Sequence, residues 1–166
     1  MADIWQILWI PAALLWANGL EWAIHKYVLH GLGKKKNSMF AFHWHDHHKL
    51  VRKSGGYDKQ YAKKEWWRVK TIARERFSLA LLLLAHLPLL FFAPIAWFTL
   101  LYAMINYYRV HRKSHLDVEW AKKHVPWHWE HHMGKNQNAN WCITRPWFDW
   151  IMGTRVHYIN NSSLKR

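Results

Sequence analysis

The run from Phe77 to Ile105 constrains the fold more than any other stretch: about 29 consecutive positions carry no formally charged residue, and Pro88 and Pro94 sit near its middle. It is too long for one untilted membrane crossing and too short for two full ones. The prolines therefore predict a hairpin of two short helices, or a span leading into a second helix that continues past Tyr108 towards His111. A second apolar stretch, Ile4 to Leu20, runs on through Glu21 to His25 and His30. It offers enough residues to cross a bilayer, with Pro11 as a point of kinking and Gly31 and Gly33 as its end. Thirteen Lys and Arg residues lie between the two apolar stretches, from Lys34 to Arg76, which is the positive-inside pattern of a cytoplasmic loop. The expectation is a single all-α membrane domain over 1–166, with about three spans or half-spans (about 4–30, 77–93 and 94–115). Its basic cytosolic segments, 31–76 and 109–166, would form a histidine-rich helical cap.

Composition agrees with segregation. The chain is 51% hydrophobic yet has a mean hydropathy of only −0.31 and a net charge of +14. Within the basic interval, Trp66, Val69, Ala73 and Phe77 recur at helical spacing, so Tyr57 to Arg76 is expected to form an interfacial helix with its aromatics at headgroup level. The one cysteine, Cys142, excludes an internal disulfide framework, a cysteine-ligated zinc ribbon and an iron–sulfur cluster held by this chain alone. No cleavable signal peptide is expected, because Asp3 replaces a basic leader and Glu21 stands where small residues would mark cleavage. A nucleic-acid module is disfavoured, since the cations flank bilayer-length apolar segments instead of forming a face with interleaved aromatics. There is no phosphate loop and no dinucleotide fingerprint.

The chemistry is carried by histidine. Four groups stand out among 14 His: His25 with His30; His43, His45, His47 and His48; His111 with His115; and His128 with His131 and His132. Residues three or four apart share a helix face, so each of the last three groups can aim imidazoles at one point. His25 and His30 are five apart and need the helix end at Gly31 or a π-bulge to converge. The first span delivers His25 to the cytoplasmic side and a hairpin returns His111 to it, so all four groups can meet. Ten imidazoles exceed what one metal can use; two metals with about five ligands each would account for them. Imidazole suits iron, zinc, copper and nickel alike, but structural zinc closes at four ligands, and a redox pair of irons with open positions fits the surplus better.

These motifs, His25…His30, His43…His47-His48, His111…His115 and His128…His131-His132, with the downstream Trp147-Phe148-Asp149-Trp150-Ile151-Met152-Gly153-Thr154, resemble the fatty acid hydroxylase / sterol desaturase superfamily of integral-membrane di-iron oxygenases. The likeness covers about residues 21 to 155 and points to a small bacterial-type member. One departure concerns the second box, where Trp44 stands in place of a histidine; His43 is the expected ligand there and His45 the alternative. The resemblance implies two iron ions, O2 as co-substrate and two external electrons from a ferredoxin or cytochrome. With these a C–H bond of a lipid or fatty acyl chain would be hydroxylated, with no separate catalytic base. It places the chain in the bacterial inner membrane, histidine cap to the cytoplasm. Desaturation of a lipid or sterol, or carotenoid hydroxylation, is the neighbouring alternative; a non-catalytic membrane metal-binding or transport protein is the alternative of another class.

Glu21, Asp46, Asp117, Glu130 and Asp149 are candidates to accept the free N–H of ligating imidazoles. His86 is expected to be a satisfied intramembrane histidine or a pathway residue. Trp5, Trp9, Trp16, Tyr102, Tyr107 and Tyr108 are read first as interfacial anchors and only second as a substrate channel.

Overall fold

The computed structural model describes residues 4–158; the remainder of the basic segment expected over 109–166, and Asp3, lie outside the described residues. Every regular element among these residues is helical. A 3-10 turn, Ile4–Leu8, leads into α1 (Trp9–Ala23), which continues without a break as a π-helical stretch, Ile24–Leu32. A second π-helical stretch, His43–His48, runs directly into α2 (Lys49–Lys53). After two 3-10 turns, Lys59–Ala62 and Trp66–Arg68, come α3 (Lys70–Ala85), the single turn α4 (Leu89–Phe92) and the long α5 (Pro94–Leu116). The short helices α6 (Val118–His124), α7 (Pro126–Met133) and α8 (Trp147–Ile151) complete the fold.

The boundaries follow local chemistry. Pro94 and Pro126 stand at the first positions of α5 and α7, where no backbone donor is needed. Asp117 caps α6 by accepting from the Trp120 amide at 3.0 Å. The expected interfacial helix over Tyr57 to Arg76 does not form as one element. Asp58 instead caps the Lys59–Ala62 turn through the Gln60 amide at 2.8 Å, and helix begins only at Lys70. Tyr61, Val69 and Ile72 are drawn inward to a shared core with Tyr108 and Leu116, an enclosure that periodicity on one helix could not reveal.

The apolar run does fold as a hairpin: α3 ends at Ala85, the chain turns through His86 and α4, and α5 returns. α1 packs along α5 through small residues, Ala13, Ala93 and Ala96 with Leu100, which let the backbones approach closely. His86 is satisfied, donating from Nδ1 to the Leu82 carbonyl at 2.7 Å and accepting from Trp16 Nε1 at 3.0 Å. Of the three expected spans, one is matched by a helix long and apolar enough to cross a membrane, Trp5–Leu32. α3 has only 16 residues and opens on Lys70, Arg74, Glu75 and Arg76, and α5 carries Arg109, Arg112 and Lys113 in its second half. The outward faces of these helices are nonetheless apolar: Trp9, Trp16, Phe77, Leu81, Leu84, Phe98 and Ile105 are exposed, and Phe91 and Phe92 are 83% and 81% exposed. Trp5, Trp9, Trp16 and Tyr102 belong to this outer surface and line no internal channel.

Past α7 the chain folds back over α1. Asn18 donates to the Arg145 carbonyl at 2.8 Å and accepts from the Phe148 amide at 3.1 Å. Gly19 leaves room for the Phe148 ring, which would lie 2.8 Å from any added Cβ.

Candidate metal centre

All ten histidines of the four motifs are buried where the helix ends meet. They divide into two groups. The ligand nitrogens of His25, His30, His43, His48 and His131 lie within 4.8 Å of one another, and so do those of His47, His111, His115 and His132. His128 extends the second group, its Nε2 3.3 Å from His115 Nε2. The adjacent pairs His47-His48 and His131-His132 each send one imidazole to each group, which locks the two groups to one another; the His48 and His132 rings sit 4.3 Å apart.

Local winding makes this possible. His25 and His30 converge because the helix is π-wound across them, bringing the rings to 5.1 Å. The same winding over His43–His48 sends His43 and His48 into the first group and His47 into the second. His45 points away, its Nε2 3.0 Å from the Lys34 carbonyl, and joins neither group. The second box is thus completed by His43.

The outer ring nitrogens explain what the inner ones can do. His25 Nδ1 lies 2.6 Å from the Trp141 carbonyl, His131 Nδ1 2.7 Å from that of Ala139, and His115 Nδ1 3.1 Å from that of Gly56. A carbonyl can only accept, so each Nδ1 carries the proton and each Nε2 presents a lone pair inward. Those lone pairs meet other imidazole nitrogens: His25 Nε2 faces His43 Nε2 at 3.0 Å, His131 Nε2 faces His30 and His48 at 3.1 and 3.2 Å, and His115 Nε2 faces His111 at 3.1 Å. One proton can bridge one such pair, but not five nitrogens gathered together, whereas a cation satisfies them all. Metal–imidazole bonds of about 2.0–2.1 Å would set adjacent ligand nitrogens about 3 Å apart, the spacing observed. His47 Nε2 and His132 Nε2, both in the second group, are buried without a hydrogen-bond partner. Burial, reinforced by neighbouring imidazoles, holds His43, His48, His128, His131 and His132 well below the usual histidine range. They are therefore neutral, the form that ligates. The donor set fits a pair of metal ions.

The second group has two carboxylates that sequence patterning passed over. Glu75 Oε1 accepts from His111 Nδ1 at 2.5 Å, and its Oε2 accepts from the Tyr61 hydroxyl at 2.7 Å. Burial raises the Glu75 carboxyl to about 7, against the Tyr61 hydrogen bond, and raises the Tyr61 hydroxyl well above its ordinary value. Tyr61 also stacks on His115, ring centroids 5.5 Å apart. Asp58 Oδ2 lies 3.6 Å from His47 Nδ1. Asp58 and Glu75 looked like ordinary acids within a basic stretch; the signal that could have marked Glu75 is a lone carboxylate on the buried side of an otherwise cationic helix start. On the first group, the Gln137 amide nitrogen lies 3.0 Å from His48 Nδ1.

Of the five acids expected to accept from a ligating imidazole, Glu21, Asp46, Asp117 and Asp149 do not do so among the bonds of the described residues. Asp46 is exposed and Asp117 is spent on its helix cap. Glu21 accepts from the Ile143 and Thr144 amides, each at 3.0 Å, and from the Thr144 hydroxyl at 2.6 Å. Asp149 accepts from the Trp141 and Cys142 amides, both at 2.8 Å, and from the Thr154 hydroxyl at 2.7 Å. Glu130 accepts from Arg155 Nη1 at 2.6 Å and the Tyr158 amide at 2.8 Å. The correction has a physical reason: helix-end imidazoles reach loop carbonyls, and Glu21 and Asp149 hold the loop that supplies them. Asp149 thereby fixes Trp141, whose carbonyl orients His25.

Comparison of the chain with models of known families, with curated proteins and with solved structures finds no match.

Proposed function

We propose that the chain is a membrane-bound dimetal oxygenase, of the fatty acid hydroxylase / sterol desaturase type, that hydroxylates a C–H bond of a lipid. The observation that carries the reading is the gathering of buried imidazole nitrogens into two adjoining groups of five and four, with His128 beside the second, where the outer carbonyl partners of His25, His131 and His115 leave Nε2 unprotonated and facing inward. Five ligands exceed the closed set of a structural zinc and leave the arrangement suited to iron with O2 as co-substrate. When bound, such a metal pair supplies oxygen activation. The chain's own residues do the rest: backbone carbonyls and Glu75 fix imidazole orientations, Asp58 places a negative charge beside His47, and burial keeps water from the reacting centre.

Membrane placement rests on the helix Trp5–Leu32 and on the apolar outer faces of α3, α4 and α5, which carry the histidine cap at one end. The motif resemblance supplies the reaction class, the bacterial inner membrane and an external ferredoxin or cytochrome as electron source.

The test is metal analysis of detergent-purified protein prepared without a chelating resin, followed by turnover with iron, a reducing ferredoxin system, O2 and extracted membrane lipid. Two metals per chain and a lipid product heavier by one oxygen are expected; a product lighter by two hydrogens would make the enzyme a desaturase. Fewer than two metals, or reductant-dependent oxygen uptake that is absent with every lipid fraction, overturns the reading.

A further inference from the structure

Two surface grooves meet at Arg76 and Trp66, and neither is lined by any of the ten histidines. The first, about 670 Å³, follows α3 along Ala73, Phe77 and Ala80, beside Trp67, with Arg68, Lys70 and Arg74 at its charged end. It opens towards the exposed apolar face that Phe77, Leu81 and Leu84 present on the same helix. The second, about 680 Å³, lies between the segment around Lys63 and the end of α5, and its cations are Lys63, Lys64, Arg76, Arg109, Arg112 and Lys113. No carboxylate is among the residues lining the second groove. The nearby acids are engaged elsewhere: Glu65 pairs with Arg68 at 3.1 Å, and Glu75 holds His111 and Tyr61.

Six like charges around one concavity repel each other unless an anion joins them. Two of the six are fixed in place. Arg76 lies 4.3 Å from the ring centres of both Trp66 and Tyr108, and donates from Nη2 to the Tyr108 hydroxyl at 2.6 Å, while its Nε is buried without a partner. Arg112 is anchored through Nε to the Tyr61 carbonyl at 2.9 Å. Lys63, Lys64 and Arg109 are exposed and free to close on a guest, and Lys113, also exposed, rests over the Trp120 ring at 4.5 Å. Arg109 is also the first cation that α5 reaches after its apolar start, and Phe77 is the first residue of the uncharged run on α3. The basic groove therefore sits at the level where both helices change from apolar to charged, next to an apolar groove with which it shares two side chains.

We propose that the two grooves form one binding site for a phosphate-bearing lipid, its phosphate among the cations of the second groove and its acyl chain along α3 in the first. The inference rests on the membrane placement given above and not on the oxygenase chemistry. Tyr61 lines the basic groove and bonds Glu75, which in turn accepts from His111 of the second imidazole group.

The experiment titrates the full chain in neutral detergent with short-chain phosphatidic acid, and separately with inorganic phosphate and with polyglutamate, by calorimetry. One saturable phosphatidic acid site per chain is expected, weakened by added salt and weakened at least about 10-fold in Lys64→Ala/Arg109→Ala. Phe77→Ser should weaken the lipid but leave the much weaker inorganic phosphate unchanged. Absence of saturable lipid binding, equal binding by the double variant, inorganic phosphate binding as tightly as the lipid, or polyglutamate binding that phosphatidic acid does not displace would each overturn the proposal. Metal content measured on the same preparations reports folding and the metal centre separately, so a lost lipid site and a lost metal centre are distinguishable.

Discussion

Replacing Glu75 should separate the two imidazole groups from each other. Its carboxylate takes one hydrogen bond from His111 Nδ1 at 2.5 Å and one from the Tyr61 hydroxyl at 2.7 Å, and its side chain is only 10% exposed. Glu75→Ala removes the acceptor of both donors; His111 Nδ1 can still donate to the Tyr61 hydroxyl oxygen 3.2 Å away, so one buried donor is left unsatisfied and the metal-free protein should lose about 1–3 kcal/mol of stability. His111 then loses the contact that fixes its ring. Loss of an outer partner of this kind lowers metal affinity about 10- to 100-fold, or about 1.4–2.8 kcal/mol. The loss should fall on the second group alone, because no bond of Glu75 reaches His25, His30, His43, His48 or His131. Equilibrium competition against a chelator, counting metals per chain, reads this directly. The wild type should release its metals over a narrow range of chelator and Glu75→Ala in two steps, the first equivalent early and the second near the wild-type point. Glu75→Gln, which keeps one acceptor, should fall between. Release of both equivalents together at the early point, or a curve superimposable on the wild type, would refute the reasoning.

The remaining predictions concern the same centre. His45→Ala should leave metal content at the wild-type value while His43→Ala lowers it, because only His43 faces the first group; metal analysis of the two purified variants decides. Metal-free protein should lose stability as pH falls below about 6.5. The folded pKa values of His43, His48, His128, His131 and His132 are depressed, so the unfolded chain binds more protons in that window, with up to about 1.4 kcal/mol per pH unit for each histidine; a urea midpoint unchanged between pH 7.5 and 5.5 would contradict this. Gly56→Ala should cost more than 1 kcal/mol and loosen the second group, since Gly56 has φ +105°, faces Trp129 Nε1 at 3.3 Å from any added Cβ, and offers its carbonyl to His115; thermal unfolding and metal competition test both effects. Asp149→Asn should weaken the first group by displacing the Trp141 carbonyl from His25, read as a metal lost from that group while Asp46→Asn has no such effect.

Much of the centre was legible in the residues. Spacing on a helix marked which histidines could share a face, and the odd five-residue interval of His25 and His30 called for either the helix end at Gly31 or a π-bulge, of which the chain adopts π winding. What stayed hidden was the source of the outer partners. His25 is oriented by a carbonyl 116 positions away and His111 by a carboxylate 36 positions away. A backbone carbonyl has no side-chain signature, and a carboxylate among cations looks like a surface acid until another helix covers it. The expected helix over Tyr57 to Arg76 failed for a related reason: its apolar period was real, but the residues serve two elements that enclose a core with α5.

By itself, the sequence determined a helical chain with segregated apolar and basic stretches and ten histidines positioned to meet, because periodicity, prolines and charge act locally and are written residue by residue. Only the tertiary structure decided how those histidines divide into groups of five and four with His128 alongside, and that His47-His48 and His131-His132 straddle both. It also decided that Glu21 and Asp149 act through the loop over α1 and not on the rings, since these outcomes depend on distances between segments that no local pattern encodes.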